Sequence, residues 1–291
     1  MKIHFLLNER VHPEPNPIFA AVMQMLQRRG FAVSGGIAEE RLCAADDIHA
    51  IHDLYVLKSQ TELSLSLAGI LHHRGARILN PYPACAVLQN KIVAANRLAE
   101  AGVPLPRSWV TADLRLLREL AAAMPLIVKP YRGHRGAGIR VLRSPDELGH
   151  GVATPQPVLV QQFIAGTGDD LKVYVVGDDV FAVRKPFSAK SFSGTGVPCT
   201  VSPLVRDIAL RCGRAFGLGL YGIDLIEGPD CPVVVDLNYS PGFRGVPDAA
   251  PLIARYIEDY ACARTTLPVS LPPLNSARSS RRSPLHTPVA T

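Results

Sequence analysis

Asp224, Asp236 and Asn238 interrupt two apolar runs near the end of the chain, LYGIDLIE (Leu220 to Glu227) and PVVVDLNYSP (Pro232 to Pro241), joined by a short Gly-Pro-Asp-Cys link. β-Branched apolar runs of this length predict buried strands. An antiparallel hairpin centred on Asp230 sets Asp224 opposite Asp236, and Asn238, two residues on, shares their face. Two carboxylates and an amide oxygen then converge on one small volume, where like charges are destabilising unless something neutralises them. A hard divalent cation does so. Oxygen ligands of this kind suit Mg²⁺ held in part by substrate phosphates, with Mn²⁺ as the alternative. The other reading has the aspartates flank a turn toward solvent, but neither stands at the turn and both lie inside apolar runs.

Lysines supply the complementary charge. Lys129 lies in the apolar strand LIVKP (Leu126 to Pro130), and a buried lysine needs a partner. Tyr131 to Gly138 follows, with glycines at 133, 136 and 138, and then a second strand, Ile139 to Arg143. This is not a Walker A loop, which needs Gly-Lys-Ser/Thr opening a helix. It fits either a glycine-rich cover whose backbone amides fold over a triphosphate or a plain hairpin turn. Lys91 opens a predicted helix, Asn90 to Ala101, with Asn90 as N-cap and Gly102 and Pro104 as the stop. A cation is electrostatically wrong at that positive end, and a phosphate ligand would resolve the conflict, as would solvation of the lysine.

The elements that position these residues read in order. Residues 2 to 8, 31 to 33, 53 to 58 and 77 to 80 are predicted strands, and 18 to 29 and 62 to 74 predicted helices, giving a small parallel α/β lobe up to about residue 85. Its Gly35-Gly36 pair lacks dinucleotide-binding spacing. Arg10 and His12, in the Pro-rich loop after the first strand, stand where an open sheet binds ligands, although an ordinary loop fits as well. His49, His52, His72 and His73 read as surface residues without a ligand set. Strands at 158 to 164, 171 to 177 and 180 to 185 place Lys172 beside Arg184 or Lys185 in one antiparallel sheet. Ser188 to Pro198 reads as a flexible loop. A helix from Ser202-Pro203 to Phe216 feeds the two acidic strands, and a last helix runs from about Ala249 to Cys262. The expected divisions are 1–85, 86–157 and 158–265, with 266–291 a disordered tail of Pro, Ser, Arg and Thr.

Composition narrows the classes. The 291 residues are 47% hydrophobic with net charge +6, enough for a sizeable core. No apolar run is long enough to span a bilayer, and the opening MKIHFLL reads as a strand, not a signal segment. Six cysteines without C-x-x-C argue against zinc and disulfides and fit a reducing cytoplasm. Only 6% of residues are aromatic, so the basic middle of the chain suits a bound nucleotide triphosphate better than nucleic acid.

Taken together, residues 85 to 262 resemble the ATP-grasp superfamily, which implies an α/β (α+β) ATP-grasp fold behind a small parallel α/β lobe, and a Mg²⁺-dependent enzyme acting on ATP. The resemblance implies that Lys91 and Lys129 meet the phosphates and that Gly133, Gly136 and Gly138 form the phosphate loop. Gln161, Gln162, Phe163 and Ile164 would be the hinge whose backbone reads adenine, and Asp170 and Lys172 would contact ribose and phosphate. Asp224, Asp236 and Asn238 would be the metal ligands. Two departures stand out: Gln162 where a glutamate is frequent, and Asp236 where most ligases of the superfamily carry the longer Glu. Two branches are similar. RimK-type ligases join an amine to a carboxylate through an acyl phosphate; inositol-trisphosphate 5/6-kinases phosphorylate a hydroxyl, and His134, Lys185-Pro186 and Ser191-Phe192-Ser193 are closer to these. The N-terminal lobe and compact length are closer to the ligases, which sets the ligase ahead, with Lys129, His134 and Lys185 as catalytic candidates and an anionic small molecule or peptide as acceptor. For a kinase, Arg132, His134 and Lys190 would grip the acceptor's phosphates. A non-catalytic nucleotide-binding module is the third reading, against which the intact Lys129 and metal ligands weigh.

Overall fold

The computed structural model describes residues 1–8, 17–133, 136–148, 156–166, 168–186, 195–228 and 231–269. Arg10, His12, His134, Lys190 and Ser191 to Ser193 lie outside them, as does the chain beyond 269.

The first lobe is built from β1 (Lys2–Leu7), α1 (Pro17–Arg28), β2 (Ala32–Ile37), β3 (Leu54–Lys58), α2 (Glu62–His73) and β4 (Ile78–Leu79). All strand pairs are parallel, in the order β2-β1-β3-β4. Two helices follow, α3 (Tyr82–Gln89) and α4 (Lys91–Glu100). Asn90 caps α4, its side chain accepting from the amides of Ile92 and Val93. α3 has no counterpart among the predicted elements; Pro81 is its N-cap and Pro83 stands in its first turn, where proline is well placed.

A second sheet holds β5 (Ser108–Thr111), then, past α5 (Arg118–Ala123), β6 (Leu126–Pro130), β7 (Arg140–Leu142) and β8 (Val158–Gln162), in the order β5-β8-β6-β7. The expected boundary between 157 and 158 falls inside this sheet, since β8 pairs with both β5 and β6. Such pairings join residues far apart in sequence, and local pattern does not reveal them.

The third sheet has the order β11-β10-β9-β12-β13, all antiparallel. Its elements are β9 (Asp169–Val176), β10 (Asp179–Pro186), β11 (Val197–Cys199), α6 (Pro203–Phe216), β12 (Leu220–Glu227) and β13 (Pro232–Asn238), followed by α7 (Ala249–Ala261). Strand period assigns its two faces. Leu171, Val173, Val175, Tyr221 and Ile223 go to one side, into a core shared with α6, with Leu57 of the first lobe and with Leu88 of α3. Tyr174, Val176 and Leu220 go to the other, into a core shared with α7, α1, β1 and β3. First lobe and third sheet are therefore one packed body. The second sheet instead closes on its own small cluster, Leu114, Leu117, Ala121, Leu126, Val128, Leu142, Val158 and Val160.

Asn80 is the polar pin between first lobe and third sheet. It is 2% exposed. Its Nδ2 donates to the carbonyls of Leu220 (2.6 Å) and Tyr239 (3.0 Å), and its Oδ1 accepts from the amides of Gly219 (2.9 Å) and Leu220 (3.1 Å). Asn80→Leu strands four buried backbone groups, each unpaired group costing about 1–3 kcal/mol. A urea titration is expected to show a loss of at least about 3 kcal/mol; an unchanged midpoint would mean that water replaces the amide.

Among the described residues no helix is long and apolar enough to cross a membrane. All six cysteines are unpaired. His52 is not an isolated surface residue: with His4 it brackets the Ser34 hydroxyl, and its other nitrogen meets the Tyr55 hydroxyl.

Candidate functional site

The register that the hairpin predicts is the one observed: Asp224 pairs with Asp236, and Gly222 with Asn238. Lys172 pairs with Asp224 from the other side, and Lys185 pairs with Asp170. Cross-strand partners and residues two apart share a face. Asp170, Lys172, Lys185, Asp224, Asp236 and Asn238 therefore stand on one side of the third sheet, at the polar end of the face whose other end is apolar. Arg184, one residue from Lys185, is on the opposite face and pairs with Glu227 at 2.6 Å.

The ladder slips once. Leu225 pairs with Val234 while Asp224 pairs with Asp236, so Val235 is an extra residue, a β-bulge of the kind that re-aims groups beside sites. Its carbonyl accepts from Lys129 Nζ at 2.9 Å. Lys129 reaches it from β6, whose Lys129 and Ile127 share a face with Leu159 and Gln161 of β8. The second sheet thus faces the edge of the third. Between them is a slot whose polar groups are Lys91, Lys129, Gln161 and Asp236 and whose walls include Leu105, Leu159 and Leu237.

Charge in the site is nearly balanced. Asp236 meets Lys91 Nζ at 2.5 Å, and Asp224 meets Lys172 Nζ at 2.8 Å. The conflict expected of a lysine at the start of α4 is thus met in the empty protein by the carboxylate of Asp236, a partner distant in sequence. Lys129 is 6% exposed, and burial pushes its pKa down to about 8, with Asp236 opposing and Lys91 adding to the effect. Burial also lowers the pKa of Lys185, with Lys172 second, and raises that of Asp170.

The Gln162 amide donates to Arg107 O and the Phe163 amide to Pro125 O, both at 2.9 Å, so both N–H groups already have partners in the empty protein. Ile164 lies just beyond the strand, with no backbone hydrogen bond among the described residues. Gln161 is 2% exposed; its Nε2 donates to Ser108 Oγ at 3.2 Å, while its Oε1 is buried without a donor. Sequence reasoning placed Gln161 in the hinge for its backbone and missed its side chain.

Gly133, Gly136 and Gly138 have φ of +153°, +74° and +74°. At Gly138 a Cβ would come within 2.8 Å of the Pro130 ring, so that turn requires glycine. Arg132 is drawn aside to Glu62, at 3.1 Å.

Among the described residues no group of three or more His, Cys, Asp or Glu is placed to hold a metal. Asp224, Asp236 and Asn238, on one face of β12 and β13, would offer such an ion two carboxylates and one carboxamide oxygen. Such a set leaves most positions of an octahedral cation to water and phosphate, which suits Mg²⁺. The orphaned Gln161 Oε1, in the slot with Lys91 and Lys129, would suit the exocyclic amine of a purine whose phosphates extend toward those lysines.

The RimK-like ATP-grasp domain matches residues 88–257. A probable alpha-L-glutamate ligase of Xanthomonas campestris pv. campestris (strain 8004) is 30% identical over 224 residues, which are 69% of this chain and 76% of that protein. Of the solved structures, a RimK domain ATP-grasp protein from Sphaerobacter thermophilus DSM 20745 superposes with TM-score 0.69 at 19% identity, over 89% of this chain and all of that one. The ATP-grasp ligase PsnB, complexed with a phosphomimetic variant of a minimal precursor, Mg and ADP, superposes with TM-score 0.64 at 22% identity, covering 89% of this chain and 98% of its own.

Proposed function

The chain belongs to the RimK-like ATP-grasp family, and from that premise we propose that it is an ATP-dependent carboxylate–amine ligase. The observation that carries this reading is the single face holding Asp170, Lys172, Lys185, Asp224, Asp236 and Asn238, met from the second sheet by Lys129.

The adenine ring enters the slot between the sheets. Gln161 Oε1 accepts from its amino group and the backbone of Ile164 meets its edge. Lys91 and Lys129 neutralise the triphosphate, and the segment with Gly133, Gly136 and Gly138 covers it. Asp170 holds the ribose. Asp224, Asp236 and Asn238 hold Mg²⁺, or Mn²⁺ in its place, which when bound offsets the charge of the β- and γ-phosphates. With the ion bound, Asp224 and Asp236 would hold it in place of their lysines, and Lys91 and Lys172 would be free to meet phosphate.

Chemistry then rests on positioning and electrostatics. The acceptor carboxylate attacks the γ-phosphorus in line, the bond to ADP breaks, and an acyl phosphate forms. Lys185 stands beside the acceptor, and His134, which lies outside the described residues, is the second candidate for that role. An amine attacks the acyl carbon, phosphate leaves with the bonding pair, and the amine proton passes to solvent. With this reading goes the division of the chain at 85 and 265, with β8 moved to the middle unit. The Xanthomonas relative makes L-glutamate the first amine to test, and the PsnB precursor makes a peptide carboxylate the first acceptor.

The test is purified protein with ATP, Mg²⁺, carboxyl-bearing peptides or small acids, and glutamate or hydroxylamine. ADP and inorganic phosphate, released in step with amide or hydroxamate, is the expected result. Phosphate retained on a hydroxyl acceptor would make the chain a kinase; no acceptor-dependent ADP would leave it a binding module.

A further inference from the structure

Lys58 ends β3, at the carboxyl edge of the first sheet. Its Nζ donates to the Ser240 carbonyl (2.8 Å), the Ser240 hydroxyl (3.0 Å) and the Pro241 carbonyl (2.6 Å), and it lies 4.5 Å from the centre of the Phe19 ring. Three acceptors match the three donors of an ammonium, and a neutral amine would leave one unserved. Burial alone drives its pKa down to about 7; no carboxylate offsets it. A half-buried lysine whose ammonium meets three oxygens and no carboxylate is unusual, since a long apolar residue would fill the space without the cost of desolvating a charge. What distinguishes Lys58 is what it holds.

Ser240 and Pro241 follow Asn238 without regular structure. The Ser240 amide donates to Asn238 Oδ1 at 2.7 Å, a local turn that fixes the direction of the carboxamide. A second donor to the same oxygen is Gln60 Nε2, and the Gln60 carbonyl accepts from Gln89 at 2.9 Å. Lys58 and Gln60, two residues apart in the first lobe, thus grip both ends of the turn that carries one ligand of the metal site. An amide oxygen has two lone pairs. A cation at Asn238 Oδ1 must displace one donor, and the Gln60 side chain swings away more freely than the Ser240 amide, which Lys58 anchors.

We propose that Lys58 is a positioning residue of the metal site, holding the Ser240–Pro241 turn so that Asn238 Oδ1 is aimed at the cation. The inference rests on the assignment of Asn238 as a metal ligand and extends it to the preceding lobe, which would then act on metal affinity without touching the metal or the nucleotide.

The test is a Mn²⁺ titration of the full chain with a non-hydrolysable ATP analogue, following free Mn²⁺ by its paramagnetic resonance signal, beside analogue binding without metal and thermal melts. Lys58→Met is expected to weaken Mn²⁺ binding about tenfold, as loss of a support behind a ligand typically does, with metal-free analogue binding within about twofold of wild type. Ser240→Ala removes one acceptor and keeps the backbone; about threefold weaker binding is expected. A Lys58→Met protein that melts earlier yet binds Mn²⁺ as wild type does would make Lys58 a strut between lobes and overturn the proposal. If Lys58→Met does not fold, Ser240→Ala decides, and unchanged Mn²⁺ affinity there overturns it. Wild-type protein that binds no Mn²⁺ would instead overturn the metal assignment itself, and this inference with it.

Discussion

Lys129→Met is expected to lower kcat/KM by about a thousandfold, the upper end of what loss of one preorganised donor costs, while the protein stays folded. The side chain reaches through an apolar strand into the slot, where it is the most enclosed of the site's lysines after Lys185. Little water is present to take over its charge, so losing it exposes the migrating phosphoryl group to the full repulsion of its neighbours. The apo fold feels two opposed effects. Lowering the pKa from 10.5 to about 8 amounts to about 3 kcal/mol of penalty on the charged form, and methionine removes it. Val235 O then loses its donor, a cost of about 1–3 kcal/mol. The folded pKa is below the unfolded one, so the penalty is complete below pH 8 and fades as pH rises toward 10.5. At pH 7 the variant should therefore melt at or slightly above the wild-type temperature. A variant that melts far lower would make Lys129 a structural tie between the sheets rather than a phosphate ligand.

The second large effect is expected at Asp236. Asp236→Ala should reduce kcat by at least about a thousandfold with little change in stability, because the side chain is 43% exposed on an edge strand. It also frees Lys91, so nucleotide binding without metal should hold or tighten while Mn²⁺ binding fails. That opposite movement separates loss of a ligand from general damage. Asp236→Glu should keep measurable activity, since the carboxylate is retained and the longer side chain is frequent at this place in the superfamily's ligases. Wild-type turnover in Asp236→Ala would end the metal assignment.

Much of this site could be read from short stretches of sequence, because its geometry follows from local rules. The opposition of Asp224 and Asp236 needed only strand period and a hairpin centre, and both held despite the bulge one residue on. Asn90 as a cap and Lys129 as a buried cation were likewise visible from their neighbours. What stayed hidden depends on chain segments meeting from afar. The partners of Lys91 and Lys172 are distant carboxylates, and the amides of Gln162 and Phe163 are taken by loops 55 and 38 residues upstream, at Arg107 and Pro125. Sheet order moved β8 across an expected boundary for the same reason. Lys58 carried a faint signal, a lysine closing the strand DLYVLK, but its meaning depends on a turn some 180 residues away.

The separate core of the second sheet has an energetic consequence. Its eight buried residues are small or aliphatic, whereas the first lobe and third sheet share two much larger clusters. Cooperative units open at free energies set by what they bury. Amide protons of β6 and β8 should thus exchange through a cheaper sub-global opening than those of β9 and β12, giving the empty protein two tiers of protection. Lys129 to Val235 is a tie across the gap. A nucleotide seated in the slot touches both units, so the lower tier can open only by releasing it. Saturating ligand then raises the lower tier by its own binding free energy. In this chain, ligand affinity and the cohesion of the two halves become one quantity, readable from either side.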